Sequence, residues 1–398
     1  MHLHFKTQET ENNNLLDSGN LGTTRKLYYR ELIARFSHHL ALNWNLGEEN
    51  TQTTQQQKDM AKYFYDHDPY KHNIVLHTYS GQQETIYRPL LGSASKLTGV
   101  SIQTSPSNVY AETSKWVEAS TAAGKKWIVA NDEQNPGDIG VACDANYTVN
   151  RGTVADNSDM IRQQVLWGNF MAGGAGVEYY FGYNTGETDL SCQDFRSRAK
   201  SWKYASNALQ FFHNYLPFIV PKALNNVSTG LCLAKEGEIY VVYLKAGGTT
   251  NITLPTGNYS VKWYNPRTGG SLQNGSVTTI GSGTVSIGNP PSETNLDWIA
   301  LIKRTVSSLS SVQDERINNE EEHLIMYPNP SSGIINITLK NHVKFVLNIY
   351  NSQGENIYSN KFNSSREKID LSKFFAGNYY VQFLFNNKKI ESKIVILK

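Results

Sequence analysis

The 398-residue chain contains only three cysteines, Cys143, Cys192 and Cys232. Three cannot build a disulfide framework, and none lies in a CxxC or Cys/His spacing that would hold zinc. An excess of one charge is missing too: 37 Lys and Arg against 35 Asp and Glu leave a formal net charge of +2. Such a balance gives no electrostatic footprint for nucleic acid or an anionic membrane surface. No apolar run is long enough to span a bilayer. HExxH and GxSxG are both absent, as is any glycine-rich phosphate loop after a strand, so zinc peptidases, nucleophile-elbow hydrolases and dinucleotide binders lose their signatures. No cofactor or metal is expected. The first residues, MHLHFKTQETENNN, lack the charged and apolar regions of a signal peptide.

Aromatic residues are plentiful, at 11%, and the 23 tyrosines outnumber the 15 phenylalanines. That excess suits surfaces that are apolar and hydrogen-bonding at once, as in carbohydrate sites, and it also suits ordinary β-rich secreted proteins. Residues 1–214 alternate strand-like and helix-like stretches, the pattern of βα units on a parallel sheet. Strands are expected at 1–7, 41–46, 73–79, 99–103, 126–131 and 177–183, and helices at 53–66, 107–123, 159–171 and 194–215. In the last helix Phe195, Ala199, Trp202, Ala205, Leu209 and Phe212 share one face. A (β/α)8 barrel has eight strands, so six of them, with residue 1 falling straight into the first, predict an incomplete barrel with two units missing on the N-terminal side. Open strand edges would follow. A flavodoxin-like sheet also uses five or six strands but usually carries a phosphate loop. Short strands between Gly, Asn, Pro and Thr turns then fill 222–304, and 323–398 repeat the pattern with turns at Pro328-Asn329-Pro330 and Gln353-Gly354. Both read as antiparallel sandwiches. Between them 305–322, Ser-rich and then acidic, reads as a linker.

Carboxylates cluster at two strand ends. In ALNWNLGEEN the apolar Leu42, Trp44 and Leu46 alternate with Asn43, Asn45 and Gly47, and the run stops on Glu48 and Glu49. Continued alternation puts Glu49 with the asparagines. In KKWIVANDEQN, Trp127, Val129, Asn131 and Glu133 share parity, beside Asp132. Active sites of parallel barrels lie at this C-terminal rim. Two carboxyl groups roughly 5–5.5 Å apart perform retaining glycoside hydrolysis, one as acid/base and one as nucleophile. His77, Gln103, Asn131, Tyr179, Tyr180 and Tyr183 also fall at strand ends, where hydrogen-bonding and stacking groups suit a sugar. Loop carboxylates that merely cap helices or pair with Arg are the structural alternative.

At this point the residues resemble known families. KLYYRELIARFSHHLALNWNLGEEN, WIVANDEQNPG and IRQQVLWGNFMAGGAGVEYYFGY resemble the catalytic barrel of bacterial glycoside hydrolases related to clan A, over about residues 1–215. The resemblance implies a retaining mechanism with Glu133 as nucleophile. It points to the Glu48-Glu49 stretch for the acid/base, and parity favours Glu49. Clan A enzymes often have Asn directly before the acid/base, where this chain has Gly47 and Glu48, so the choice between the glutamates stays open. Residues 216–304, with VKWYNPRTGG and DWIALIKR, resemble a collagen-binding domain of a collagenase. Residues 323–398, with MYPNPSSGIINITL and IDLSKFFAGNYYVQF, resemble the C-terminal sorting domain of the type IX secretion system. That implies a Bacteroidetes-type bacterium, passage through the outer membrane and release or surface attachment.

The expectation is therefore an α/β plus all-β chain with an incomplete (β/α)8 TIM barrel over 1–215, an accessory β-sandwich over 216–304, a linker and a sorting domain over 323–398. Its expected activity is secreted, retaining hydrolysis of O-glycosidic bonds in a polysaccharide or oligosaccharide, by a monomer whose other partner is the secretion machinery. The competing reading is a non-catalytic carbohydrate- or matrix-binding surface protein carrying a degenerate barrel.

Overall fold

A computed structural model describes residues 3–216, 221–305, 324–328, 331–351, 355–375, 377–385 and 388–396. The expected linker beyond Thr305 and most of the turns at 328–330 and 353–354 lie outside the described residues. The chain divides into two compact units, 1–307 and 308–398.

In the first unit, strands β1 (Leu3–Lys6), β2 (Leu42–Asn45) and β3 (Asn73–Val75) form one parallel sheet in chain order. A second follows in the same sense, with β4 (His77–Thr78), β5 (Gly99–Thr104), β6 (Ile128–Gln134) and β7 (Gly176–Val177). A single residue, Leu76, separates β3 from β4, so six successive parallel positions result, as the alternation predicts. The expected strand at 177–183 is corrected to two residues: Tyr180 and Phe181 instead bond across to Val141 and Gly140. Helices α1 (Thr23–Phe36), α2 (Thr54–His67), α3 (Gln83–Tyr87) and α4 (Val109–Ala122) connect the strands. Thr53 caps α2, its hydroxyl taking the Gln56 N–H while the Gln56 side chain accepts from the Thr53 N–H. The expected helix at 159–171 is α5 (Ser158–Met160), a wider π turn (Ile161–Leu166) and α6 (Trp167–Met171) in succession. The last helix of the unit, α7 (Ala199–Tyr215), follows a 3-10 turn.

The outer face of the parallel strands is apolar and packs on helices. Trp44, Ile74, Val100, Ile102, Trp127 and Val129 join Tyr29, Phe64 and Trp116 in one core. Each such side chain contributes about 1.5–3 kcal/mol on burial. The inner face is polar. His4 lies level with Asn43, Lys6 with Asn45, and His77 with Ser101.

Antiparallel strands follow: β8 (Lys222–Leu224), β9 (Leu231–Lys235), β10 (Ile239–Leu244), β11 (Asn251–Leu254), β12 (Asn258–Tyr264), β13 (Thr279–Ile280), β14 (Gly283–Ser286) and β15 (Trp298–Thr305). Six of them pair in the order β13-β12-β15-β10-β9-β8, and β11 pairs with β14. The run IYVVYL in β10 is apolar throughout because both faces of its sheet are covered. Tyr240, Val242 and Ala300 face Ile252 and Leu254, whereas Val241, Tyr243, Ile299 and Leu301 face Trp167, Tyr204, Ala208 and Phe211. This corrects the expected face of α7. Phe195, Trp202 and Leu209 are partly or largely exposed, and the buried row runs through Ser201, Tyr204, Ala208 and Phe211, because a sheet, not only the βα layer, covers that side.

The second unit is all-β: β16 (Leu324–Tyr327), β17 (Ile334–Tyr350), β18 (Asn356–Asp370), β19 (Gly377–Phe385) and β20 (Lys388–Ile396). The strands pair in the order β16-β17-β19-β20, with β18 on β17. Ile335, Ile337, Leu347, Ile349, Val381 and Phe383 form its core.

Candidate active site

The site is built where β2, β4, β5 and β6 end. After Asn45 the chain leaves strand geometry, and alternation no longer governs it. Gly47 has φ +145°, and a Cβ there would meet the Asn50 Nδ2 at 2.7 Å, so only glycine fits. Asn50, itself buried, braces the turn. Its amide donates to Leu46 O at 3.1 Å, its N–H donates to His77 O at 3.0 Å, and its Oδ1 accepts from the Gln57 amide at 3.1 Å. Glu49 is held at φ +46°, a conformation unfavourable for a residue with a side chain and one that concentrates at functional sites.

A register shift creates the opposite wall. Ile102 pairs with Asn131 but Gln103 pairs with Glu133, leaving Asp132 as an extra residue. Strict alternation would send Glu133 outward with Trp127 and Val129, which corrects their expected shared parity. The bulge turns Glu133 to the inner face beside Gln103. Asn131 stays behind as scaffolding: it is fully buried, and its amide donates to Ile102 O at 2.8 Å. Gln134 donates to Asn131 at 2.7 Å and accepts from the Tyr180 N–H at 3.0 Å, tying β6 to the segment that follows β7. At Gly140, φ +52°, a Cβ would lie 2.3 Å from Tyr180 O, so this glycine permits the close crossing.

These elements gather five carboxylates and two cations. One carboxylate oxygen of Glu48, one of Glu133 and a ring nitrogen of His77 all lie within 4.8 Å of one another. His77 Nδ1 lies 2.9 Å from Asp132 Oδ2, and its Nε2 lies 3.8 Å from Glu133 Oε2. Gln103 donates to Glu49 Oε1 at 3.2 Å, while its own Oε1 accepts from the Ser80 N–H at 3.3 Å. Lys6 contacts Glu48 and lies 3.8 Å from Glu178, which His4 approaches at 3.7 Å. Tyr180 stands close enough to Glu133 for the carboxylate to help push its hydroxyl, chiefly by loss of hydration, up to about 12. Tyr183 is largely exposed. Tyr179 packs away from the acids, among Val109, Ile161 and Val165, with its hydroxyl 3.5 Å from Ser201 O. The spatial cluster thus unites Glu48, Glu49, His77, Gln103, Glu133 and Tyr180, and leaves Asn131 and Tyr179 in supporting positions.

Lys6, Asp132 and Glu178 also belong to this cluster. Only Asp132 stood out from sequence, through its place beside Glu133. The alternation of His2, His4 and Lys6 in MHLHFK was the available signal for an inward cation, and the acid in GVEYYF the signal for Glu178.

Burial raises the Glu133 carboxyl, with Gln103 and His77 opposing. It raises Glu48 as well, against Lys6 and His77, and pushes Glu178 up to about 7, against Lys6. Burial alone would depress His77, but Asp132, Glu48 and Glu133 carry it up to about 9. Burial would likewise lower Lys6, yet Glu48, Glu178 and Asp132 hold its ammonium above the ordinary value. Of the Glu48–His77–Glu133 triangle, Glu48 is already engaged by Lys6 and His77 Nδ1 by Asp132.

One pH dependence follows from His77. Its folded value lies above the ordinary 6.5, so the charged form favours the fold. That contribution, on the order of 3 kcal/mol at most, is complete below pH 6.5 and lost as pH rises to about 9. Thermal melting should therefore fall across that window, and a flat Tm between pH 6.5 and 9 would contradict the pairing.

Residues 219–303 match the family model described as "Putative collagen-binding domain of a collagenase", and residues 325–397 match that of a secretion system C-terminal sorting domain. Among solved structures, one described as a glycoside hydrolase is 14% identical, with 72% of this chain and 69% of that chain covered at a TM-score of 0.51, which shows a shared fold. A GH27 β-L-arabinopyranosidase from Geobacillus stearothermophilus is 9% identical, with 71% and 62% covered at a TM-score of 0.39. No curated protein sequence matches the chain. Among the described residues, no helix is long and apolar enough to cross a membrane. The chain thus joins an N-terminal region that shares the fold of a solved glycoside hydrolase to a module matching the collagenase-domain model and a secretion sorting domain of Bacteroidetes type, and it is a secreted or cell-surface protein.

Proposed function

We propose that the N-terminal region is an incomplete (β/α)8 barrel that hydrolyses O-glycosidic bonds of a polysaccharide or oligosaccharide with retention of anomeric configuration. Glu133 is the nucleophile. The observation that carries this reading is the inward turn of Glu133 by the β6 bulge, opposite the Gly47-Glu48-Glu49 turn. Glu133 attacks the anomeric carbon as the leaving oxygen takes a proton from the acid/base. Water, deprotonated by that same group, then releases the sugar from Glu133. Tyr180 and Tyr183 supply faces for the sugar at the mouth.

Glu49 is the acid/base in this reading. It meets neutral partners, the Gln103 amide and the Tyr79 hydroxyl. Glu48 is tied to Lys6 and serves as fixed charge. A second assignment, Glu48 as acid/base, draws on its approach to Glu133 within 4.8 Å, compact for a retaining pair of about 5–5.5 Å and short of the roughly 6.5–9.5 Å of inverting enzymes.

Leaving-group dependence separates the two. Glu49→Ala should lose most turnover of natural glycosides yet keep activity on aryl glycosides whose phenolate needs no proton, and azide should restore it. Glu48→Ala should depress both substrate classes alike. The reverse pattern would give the role to Glu48.

A further inference from the structure

His77 lies beneath the reacting carboxylates with no exposed surface, and neither the retaining mechanism nor a sugar contact uses it. Its Nδ1 is fixed on Asp132 at 2.9 Å. Its Nε2 is buried without a hydrogen-bond partner, facing Glu133 Oε2 at 3.8 Å. We propose that the Asp132–His77 pair is a positioning device, in which the imidazolium held by Asp132 keeps Glu133 ionised and aimed at the anomeric carbon. The inference rests on Glu133 being the nucleophile.

Two demands on Glu133 conflict. A nucleophilic carboxylate must be charged, yet burial alone drives Glu133 toward its neutral acid. Glu48 and Glu49 bring further negative charge to its side of the site, which worsens the penalty. Among the described residues, the basic groups of this cluster are Lys6, engaged with Glu48 and Glu178, His4, which approaches Glu178, and His77, which faces Glu133. His77 is therefore the group placed to offset the cost at Glu133 itself. Asp132 fixes the ring and supplies its countercharge; burial alone would raise the Asp132 carboxyl, but the charge and hydrogen bond of His77 hold it below its ordinary range. The groups facing this pair are Glu48 from the turn after β2, Lys6 and His4 from β1, Glu133 from β6 and Tyr87 from α3. The bulge at Asp132 serves both tasks at once: it sends consecutive carboxylates to the same imidazole, one on each ring nitrogen.

The test is an NMR titration of the full chain labelled with carboxyl-13C glutamate, in which Glu133 is assigned by the signal lost in Glu133→Gln. In His77→Gln and in Asp132→Asn the Glu133 carboxyl should titrate about one unit or more above its wild-type midpoint. The acid limb of kcat/KM should move up with it, while KM changes less than kcat. Asp132→Asn keeps an acceptor for Nδ1–H, so it serves if His77→Gln does not fold. Nitrogen-15 histidine labelling of the unaltered chain gives a readout without any variant: His77 should remain imidazolium through pH 8. An unmoved Glu133 midpoint in a folded variant, or a neutral His77 at pH 7, would overturn the proposal. Full activity of Glu133→Gln would instead remove the glycosidase reading and leave the titration interpretable.

Discussion

Replacing Glu133 with Gln is expected to lower turnover of every glycoside the chain hydrolyses by at least about a thousandfold, or about 4 kcal/mol of lost transition-state stabilisation. The loss should not depend on the leaving group, because no substrate escapes the need for a nucleophile. Folding should survive. Glu133 is nearly buried and burial already favours its neutral form, so an uncharged amide of the same shape costs little there. A Tm within a few degrees of wild type, together with lost turnover, separates chemistry from collapse. Unchanged turnover would remove Glu133 from the mechanism, and a chain inactive on all glycosides before mutation would favour the non-catalytic binding reading.

The second large effect is expected at Asp297, far from the acids in sequence role but central to the unit. Its carboxylate accepts from Arg162 Nε at 2.9 Å and Nη2 at 2.8 Å, and from the Tyr243 hydroxyl at 3.0 Å. Arg267 donates to its backbone carbonyl and lies 3.5 Å from Oδ1. Asp297 is 0% exposed and Arg162 2% exposed. Asp297→Ala therefore strips a buried guanidinium of its buried countercharge and leaves it only the exposed Asp159 at 2.5 Å, a change that costs about 3–5 kcal/mol. Arg162 lies in the π turn before α6, while Asp297 directly precedes β15. The pair thus fastens the helical layer to the antiparallel sheet within one unit, next to the stack of Trp167 on Tyr243 at 5.5 Å. Denaturant unfolding should show one transition for this unit, with its midpoint sharply lowered by Asp297→Ala. A change below about 1 kcal/mol would mean that the apolar contacts alone hold the two layers together.

Much of the parallel region was legible because its period is local. Trp44 between Asn43 and Asn45 declares an apolar outer face and a polar inner one, and α2 announces itself with Thr53 and Gln56. What escaped depends on neighbours that the local pattern does not contain. The inward turn of Glu133 comes from its register against β5, so parity within KKWIVANDEQN put it on the wrong face. Glu49 was placed by alternation, but the chain has left strand geometry before reaching it. Helix α1 is hard to see because its buried row includes Arg25, whose guanidinium is satisfied by the Asn13 and Leu16 carbonyls. The face of α7 was read as single-sided, whereas Tyr204 and Phe211 serve the antiparallel sheet and Trp202 packs near Tyr179 and Phe181. Alternation in MHLHFK marks Lys6 as inward, but its partners Glu48 and Glu178 come from distant segments that only the fold brings beside it.

The central claim is that Glu133 forms a covalent bond to the sugar. A 2-deoxy-2-fluoro glycoside of any sugar the chain turns over slows both steps, and a good leaving group lets the glycosyl-enzyme accumulate. Mass spectrometry of the digested protein should then find one added glycosyl group on the peptide WIVANDEQNPG, at Glu133, and none in Glu133→Gln. An unlabelled protein, or a label on any other carboxylate, would contradict the account.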